Sequence, residues 1–177
     1  MNPQERKVTN QKYIYQALLE IMAGKPEEQI SVTELCKRAN VSRTYFYKNY
    51  SDYDQIILAA QKMKMLNYLR KLPNTQKIDV SDLMTNYFTM IKEDLPTYKL
   101  LVKNEKIEIL LTTFQSVFQS LLQSDKIDNP NRALEQRYYL QFFTGAVVNM
   151  TLTWVKNGTK ETPKYMGKQV QNFVTPK

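Results

Sequence analysis

Residues 30–50 read ISVTELCKRANVSRTYFYKNY, and this stretch decides how the N-terminal part of the chain folds. Ser31 and Glu34 stand at the spacing of a capping box. In that motif the Ser31 hydroxyl accepts the Glu34 backbone N–H, and the Glu34 carboxylate reaches back to the Ser31 N–H. The stretch therefore predicts a short helix that begins after Ser31 and continues to about Ala39.

The second half of the stretch predicts a tight turn and another short helix. Asn40 tolerates the left-handed backbone that such a turn requires. Ser42 is a favourable N-cap for a helix from Arg43 to about Tyr50. Two short helices joined in this way form a helix-turn-helix, the motif whose second helix enters the major groove of DNA.

The polar side chains of the second helix suit contact with DNA. Arg43 lies in the first turn, where side chains reach base edges, and Thr44 and Tyr45 lie beside it. Tyr47 and Lys48 are placed to reach phosphates at the flanks of the groove. The quoted stretch carries four cations and one anion, a local charge of 4 − 1 = +3. On an arbitrary helix Arg43 and Lys48 would be ordinary solvated charges, but within this motif we favour their contact with DNA. For Lys37 and Arg38, on the first helix of the pair, both interpretations stay open.

Other side chains of the stretch are predicted to be buried. Phe46 and Tyr50 stand four residues apart on one helix face, which is the spacing of a core stripe. Cys36 is predicted to be a small buried side chain rather than a redox switch.

The chain resembles the TetR family of transcriptional regulators over residues 9–60. The matching segments are VT at 32–33, ANVS at 39–42, FYKNY at 46–50, ALLEI at 17–21 and DQII at 54–57. The resemblance implies that DNA is contacted by Ser31, Thr33, Ser42, Arg43, Thr44, Tyr45, Tyr47, Lys48 and Asn49. Three residues depart from the family pattern. Asn40 replaces the usual turn glycine, Asn49 replaces a common histidine, and Tyr53 stands where lysine is frequent.

Composition narrows the class of protein. The chain has 177 residues, of which 42% are hydrophobic and 24% charged, which is ordinary for a soluble globular protein. It has only four glycines and seven prolines, a scarcity that favours helices. The net charge of +8 suits a polyanionic partner. Residues 1–60, however, carry eight cations and seven anions, a net charge of only 8 − 7 = +1. The remaining +7 of the net charge lies after residue 60.

The chain lacks the residues that most catalytic and metal sites need. It has no histidine, one cysteine, no glycine-rich phosphate loop and no clustered acidic ligands. We therefore expect no metal, no cofactor and no enzymatic activity. No signal peptide and no long apolar run is evident, so a cytoplasmic protein without a membrane partner is expected.

The whole chain is predicted to be all-α, with a helix-turn-helix domain at 1–60 and a helical dimerisation and effector domain at 73–177. The predicted helices are 9–22, 32–39, 43–50, 52–72, 81–93, 97–104, 107–124, 131–157 and 163–174. The fourth helix joins the two domains, and residues 73–79 are predicted to be a polar linker.

The C-terminal domain is predicted to form a homodimer and to hold an effector. Residues 154–163 resemble a TetR subgroup with short C-terminal domains related to the dihydroxyacetone-pathway activator. The last two helices are predicted to pair across a twofold axis through Phe143, Val147, Met150 and Trp154. The alternative is that the longer of the two is the central core helix of a monomeric domain. Met84, Tyr87, Met90 and Tyr138 either line a pocket for a small molecule or belong to an ordinary core.

The leading functional prediction is a sequence-specific DNA-binding regulator, a repressor that binds a near-palindromic operator as a homodimer and is released by an effector. The alternative is a helical co-regulator that acts mainly through a protein partner.

Overall fold

A computed structural model describes residues 2–71, 77–124, 126–128 and 136–174. Within these ranges the chain is helical, with a short 3-10 turn at Glu27–Gln29 and no sheet beyond one isolated bridge. The helices are α1 (Pro3–Gly24), α2 (Val32–Arg38), α3 (Arg43–Asn49), α4 (Tyr53–Leu69), α5 (Val80–Glu93), α6 (Leu95–Lys103), α7 (Ile107–Gln123), α8 (Tyr139–Lys156) and α9 (Pro163–Val174). The predicted all-α fold is confirmed.

The first helix begins at Pro3 rather than at residue 9, because its N-terminus is fully capped. The Asn2 side chain accepts the Glu5 backbone N–H at 2.8 Å, and the Glu5 carboxylate accepts the Asn2 N–H at 2.9 Å. Proline suits the first helical position, since its missing N–H would have no partner there. The Asn-Pro-x-Glu pattern thus adds almost two turns to the predicted helix.

The predicted pair of short helices is confirmed, with one change at the first cap. The Ser31 hydroxyl accepts the Glu34 N–H at 3.1 Å, as the capping box requires. The Glu34 carboxylate does not return to Ser31 but pairs with the Lys25 ammonium at 2.5 Å, which lowers the pKa of Glu34. Asn40 has a φ of 53°, the left-handed backbone predicted for the turn.

Close contacts divide the chain into two units, Met1–Gln61 and Lys62–Lys177, with the division inside α4. The core of the first unit draws on all four of its helices: Ile14, Ala17, Leu18, Ile21, Leu35, Cys36, Phe46, Ile56 and Ile57. The predicted burial of Phe46, Tyr50 and Cys36 is confirmed, and burial raises the pKa of the Cys36 thiol.

In the second unit, α9 packs along α5, and α8 packs against α6 and α7. The approach of α9 to α5 depends on Gly167. A Cβ added there would lie 2.5 Å from the Ser81 carbonyl oxygen and 2.7 Å from the Thr85 backbone nitrogen. Along the described helices, no segment combines the length and hydropathy that a bilayer crossing requires.

The predicted polar linker at 73–79 needs a correction at its end, while residues 72–76 lie outside the described ranges. Ile78 is buried and bridges to Ile127 in a parallel sense. The Ile78 N–H donates to the Lys126 carbonyl, and the Asp128 N–H donates to the Ile78 carbonyl, both at 2.9 Å. The buried Ile78 side chain and these two backbone hydrogen bonds hold the segment before α5.

Candidate DNA-binding surface

Helix α3 presents one buried face and one exposed polar face. Phe46 is 2% exposed and fixes the helix in the core of the first unit. Arg43, Thr44, Tyr47 and Lys48 lie around the rest of the helix circumference, and all four are exposed. A short helix held by one aromatic anchor and open on its cationic side has the form of a major-groove reader.

Three other predicted contact residues use polar atoms to hold the helices. The Ser42 hydroxyl accepts the Tyr45 N–H at 3.0 Å and caps α3, as the Ser31 hydroxyl caps α2. The Asn49 amide donates to the Tyr45 carbonyl at 2.7 Å. These side chains are exposed together with Thr33, so each can meet DNA only with the atoms that the helix leaves free.

Tyr45 is half-buried, because its ring lies edge-on to that of Tyr50, with centroids 6.3 Å apart. Burial raises the pKa of Tyr50, and its hydrogen bond with the Tyr45 hydroxyl acts in the same direction. Tyr45 therefore connects the exposed face of α3 to the core. Its ring is oriented by Tyr50 rather than free in solvent.

Tyr53, the third departure from the family pattern, has a structural role. Its hydroxyl donates to the Ile30 carbonyl at 2.7 Å, and burial raises its pKa. The bond fastens the start of α4 to the segment before α2. A lysine at this position could not bind the Ile30 carbonyl and contact a DNA phosphate at the same time.

A groove beside α3 adds residues that the sequence analysis missed. It has a volume of about 510 Å³. Its lining combines the start of α1 with the α2–α3 turn and α3: Arg6, Lys7, Asn10, Asn40, Val41, Ser42, Tyr45, Lys48 and Asn49. Three of these residues are cations and none is acidic. The signal that could have found Arg6 and Lys7 is the Asn-Pro-x-Glu cap, which places both on the helix rather than before it.

A narrow apolar cavity of about 30 Å³ lies in the second unit. Its lining comes from α4, α5 and α7: Met65, Tyr68, Leu69, Leu83, Met84, Asn86, Tyr87, Met90, Phe114, Val117, Phe118 and Leu121. The structure thus brings together three of the four predicted pocket residues, Met84, Tyr87 and Met90. The Tyr87 hydroxyl lies 3.2 Å from the Thr151 hydroxyl.

The fourth predicted pocket residue, Tyr138, does not line this cavity. It precedes α8 with a left-handed φ of 69°, is 65% exposed, and stacks under the Arg137 guanidinium at 4.8 Å. Tyr138 is therefore a surface residue and not a pocket residue, since it precedes α8 and its ring contacts the Arg137 guanidinium.

Three of the four predicted dimer-interface residues also require a correction. Phe143, Val147 and Trp154 are at most 2% exposed within a single chain, and Met150 is partly exposed. The three buried residues belong to the core of the second unit. There the Phe143 ring stacks on that of Phe118, with the ring centroids 4.5 Å apart. Residues buried by their own chain cannot form a surface for a second copy.

The exposed side of α8 carries a different set of side chains. Phe142 is 62% exposed, and Gly145, Ala146, Asn149 and Thr153 follow it on the same face of the helix. A groove of about 490 Å³ runs between this face and α9, where Phe173 is 66% exposed. These five residues, Phe142, Gly145, Ala146, Asn149 and Thr153, form what is called the α8 face.

Known proteins share both the C-terminal sequence pattern and the fold. A TetR-group family model, described as "Transcriptional regulator C-terminal region", matches residues 79–176, which is more than half of the chain. No curated protein matches the chain in sequence.

Solved structures extend the likeness to nearly the whole chain. Lin0861 from Listeria innocua has a TM-score of 0.75 at 15% identity, over 98% of this chain and 93% of that one. The dihydroxyacetone kinase operon activator DhaS has a TM-score of 0.61 at 16% identity, over 93% of each chain. A tetR-family transcriptional regulator from Streptomyces coelicolor has a TM-score of 0.55 at 15% identity, over 93% of this chain and 80% of that one. At these identities the likeness shows the fold alone.

An all-α chain with an N-terminal helix-turn-helix and a helical C-terminal region defines a transcriptional regulator of the helix-turn-helix class. The chain belongs to the TetR family of transcriptional regulators, as its sequence resemblance implied.

Proposed function

We propose that the chain is a cytoplasmic repressor that binds a near-palindromic operator as a homodimer and is released by a small-molecule effector. The observation that supports this function most strongly is the exposed cationic face of α3, held in place by the buried Phe46. Arg43 in the first turn reaches base edges, while Lys48 and Tyr47 meet phosphates on either side.

The α8 face supports a homodimer. Phe142 and Phe173 are large apolar side chains that a single chain leaves largely exposed, and Gly145 and Ala146 permit close approach of a second helix. Two copies of α8 and α9 around a twofold axis would close a four-helix bundle. Two heads would then bind two half-sites, which gives an operator its near-palindromic sequence.

The apolar cavity supports release by an effector. Helix α4 contributes Ile56 and Ile57 to the core of the first unit, and Met65 and Tyr68 to the cavity wall. A cavity of about 30 Å³ has room for only a few water molecules, so an effector must displace side chains of the wall. Flexible methionines such as Met84 allow that rearrangement, and DNA is released if the widened form binds the operator more weakly.

Selection of genomic fragments tests the proposed function. The purified protein is mixed with fragmented genomic DNA, bound fragments are sequenced, and the shared site is measured by gel shift. Arg43→Ala should weaken binding to that site by about 5- to 150-fold, which corresponds to about 1–3 kcal/mol for one base contact. Tyr50→Phe removes the partner hydroxyl but keeps that of Tyr45, so it separates a contact of Tyr45 with DNA from its bond to Tyr50.

Lys12→Ala is the matched control, since Lys12 is an exposed cation of α1 outside the groove. It should leave the affinity close to that of the wild type. Recovery of no shared sequence would contradict the proposal and favour the co-regulator that acts through a protein partner. An Arg43→Ala variant with unchanged affinity and base preference would show that α3 does not read the operator through this residue.

A further inference from the structure

We infer that Arg6 and Lys7, at the start of α1, bind the phosphodiester backbone of the DNA beside the groove that α3 reads. Both residues line the 510 Å³ groove together with Lys48 of α3. The assignment extends the proposed function, since it gives the same surface a second contact with the same partner. Arg6 and Lys7 are thereby positioning residues, which set the register of the head on the duplex without reading its sequence.

The pattern of side chains along α1 supports this contact. Ile14, Ala17 and Ile21 repeat at three- and four-residue steps and are buried in the first unit. Toward the N-terminus the same steps lead to Asn10, which is half-buried, and then to Lys7, which is exposed. The inner face of the helix therefore changes from apolar to amide and cationic where it passes the core. A face of that composition suits a polyanion rather than a protein interior.

The charges around the groove favour the same partner. Its cations are Arg6, Lys7 and Lys48, and no acidic residue lines it. In the described part of the chain Lys25 pairs with Glu34, Arg38 with Glu20 and Lys64 with Asp94, and none of the three groove cations takes part in these ion pairs.

The one anion at the start of α1 is already engaged. The Glu5 carboxylate accepts the Asn2 N–H at 2.9 Å as part of the helix cap. Glu5 keeps its charge, but its carboxylate is bound to the cap and not to Arg6 or Lys7. An arginine binds a phosphate through two parallel hydrogen bonds, and a lysine binds it as a point charge.

The double variant Arg6→Gln/Lys7→Gln tests the assignment in the full-length protein. Both side chains are exposed, and the Asn2–Glu5 cap is untouched, so circular dichroism should match that of the wild type. Operator affinity is measured at a series of salt concentrations. The slope of log K against log salt should become shallower by about two for each bound head, because two counterion-releasing contacts are lost. The order of preference among operator variants should not change.

Lys12→Gln is the matched control and should keep the wild-type slope. Ethylation interference adds a direct readout: phosphates whose ethylation blocks the wild type but not the double variant mark the strand that Arg6 and Lys7 contact. An unchanged salt slope would overturn the inference, as would a loss confined to one base pair. Wild-type binding is measured first, so failure of the regulator function would be recognised before either variant is compared.

Discussion

At the residue scale, the buried Tyr87 makes the stability of the second unit depend on pH. Burial raises the pKa of Tyr87 to about 12, although its bond with Thr151 acts in the opposite direction. An unfolded chain releases the same proton near pH 10. Between about pH 10 and 12 the unfolded state therefore binds fewer protons than the folded state, and stability falls as pH rises.

Replacing Tyr87 with phenylalanine should remove this contribution. Two pKa units correspond to about 3 kcal/mol for the complete titration, of which about 2 kcal/mol falls between pH 10 and 12. In urea unfolding the wild type should lose that much more stability than Tyr87→Phe over this range. Thr151 keeps its bond to the Val147 carbonyl at 2.8 Å, so no buried donor is left unsatisfied. Tyr165→Phe, at an exposed tyrosine of α9, is the control and should keep the wild-type pH dependence. Equal losses in all three proteins would show that Tyr87 titrates normally.

Lys48 belongs to the same scale and should behave differently from Arg43. It is exposed near the end of α3 and lines the basic groove. Because a phosphate contact carries no sequence information, Lys48→Ala should lower affinity for all DNA sequences alike and reduce the salt slope by about one for each head. Competition between operator and unrelated DNA at several salt concentrations measures both quantities. A loss restricted to the operator would mean that Lys48 reads a base.

At the scale of elements, the pairing of α5 with α9 depends on the absence of a side chain at Gly167. A Cβ there would overlap the backbone of α5 at Ser81 and Thr85, and backbone cannot move aside cheaply. We expect Gly167→Ala to destabilise the protein by about 1–3 kcal/mol, the usual cost of overpacking. Thermal unfolding followed by circular dichroism measures the effect.

Gly145 provides the matched control for Gly167. It lies inside α8, and a Cβ there would meet no atom within 4 Å. Gly145→Ala should therefore stabilise the helix by about 0.5–1 kcal/mol, because alanine loses less backbone entropy than glycine. Both variants are best compared in a Phe142→Glu background, in which no second copy covers Gly145. Similar stability of the two variants would mean that α9 can shift away from α5.

At the scale of the whole molecule, assembly should depend on the α8 face and not on the residues beneath it. Phe142→Glu and Ala146→Glu, made together, place two charges on an exposed surface and leave the core of the unit intact. We expect the variant to be folded and monomeric, with a mass near 20.9 kDa where the wild type has about twice that value. Sedimentation at micromolar concentration decides this.

Operator binding should be lost together with the dimer, since a single head makes few phosphate and base contacts. Tyr138→Glu is the control, because this tyrosine is 65% exposed but precedes α8 and its face. It should remain dimeric and bind the operator. A wild type that sediments as a monomer and still binds one half-site per chain would contradict the dimer.

The sequence by itself determined the elements that local interactions control. Ser31 and Ser42 cap α2 and α3 as predicted, and Asn40 takes the left-handed turn, because a cap or a turn depends on atoms only a few residues apart. The core positions of Phe46 and Cys36 followed from the same pattern, since a short helix with one apolar side has one way to bury it.

Only the tertiary structure decided which side of an apolar helix faces the core. Phe142 and Phe143 are neighbours of one type, yet one is 62% exposed and the other fully buried. Because α8 is apolar around most of its circumference, its own sequence does not distinguish the two faces; packing against α6 and α7 does. In the same way, Lys7 reaches the groove beside α3 only because α1 continues past the core. Lys7 and the groove residues of the α2–α3 turn and α3 are more than thirty positions apart in the chain, so no local sequence signal brings them together.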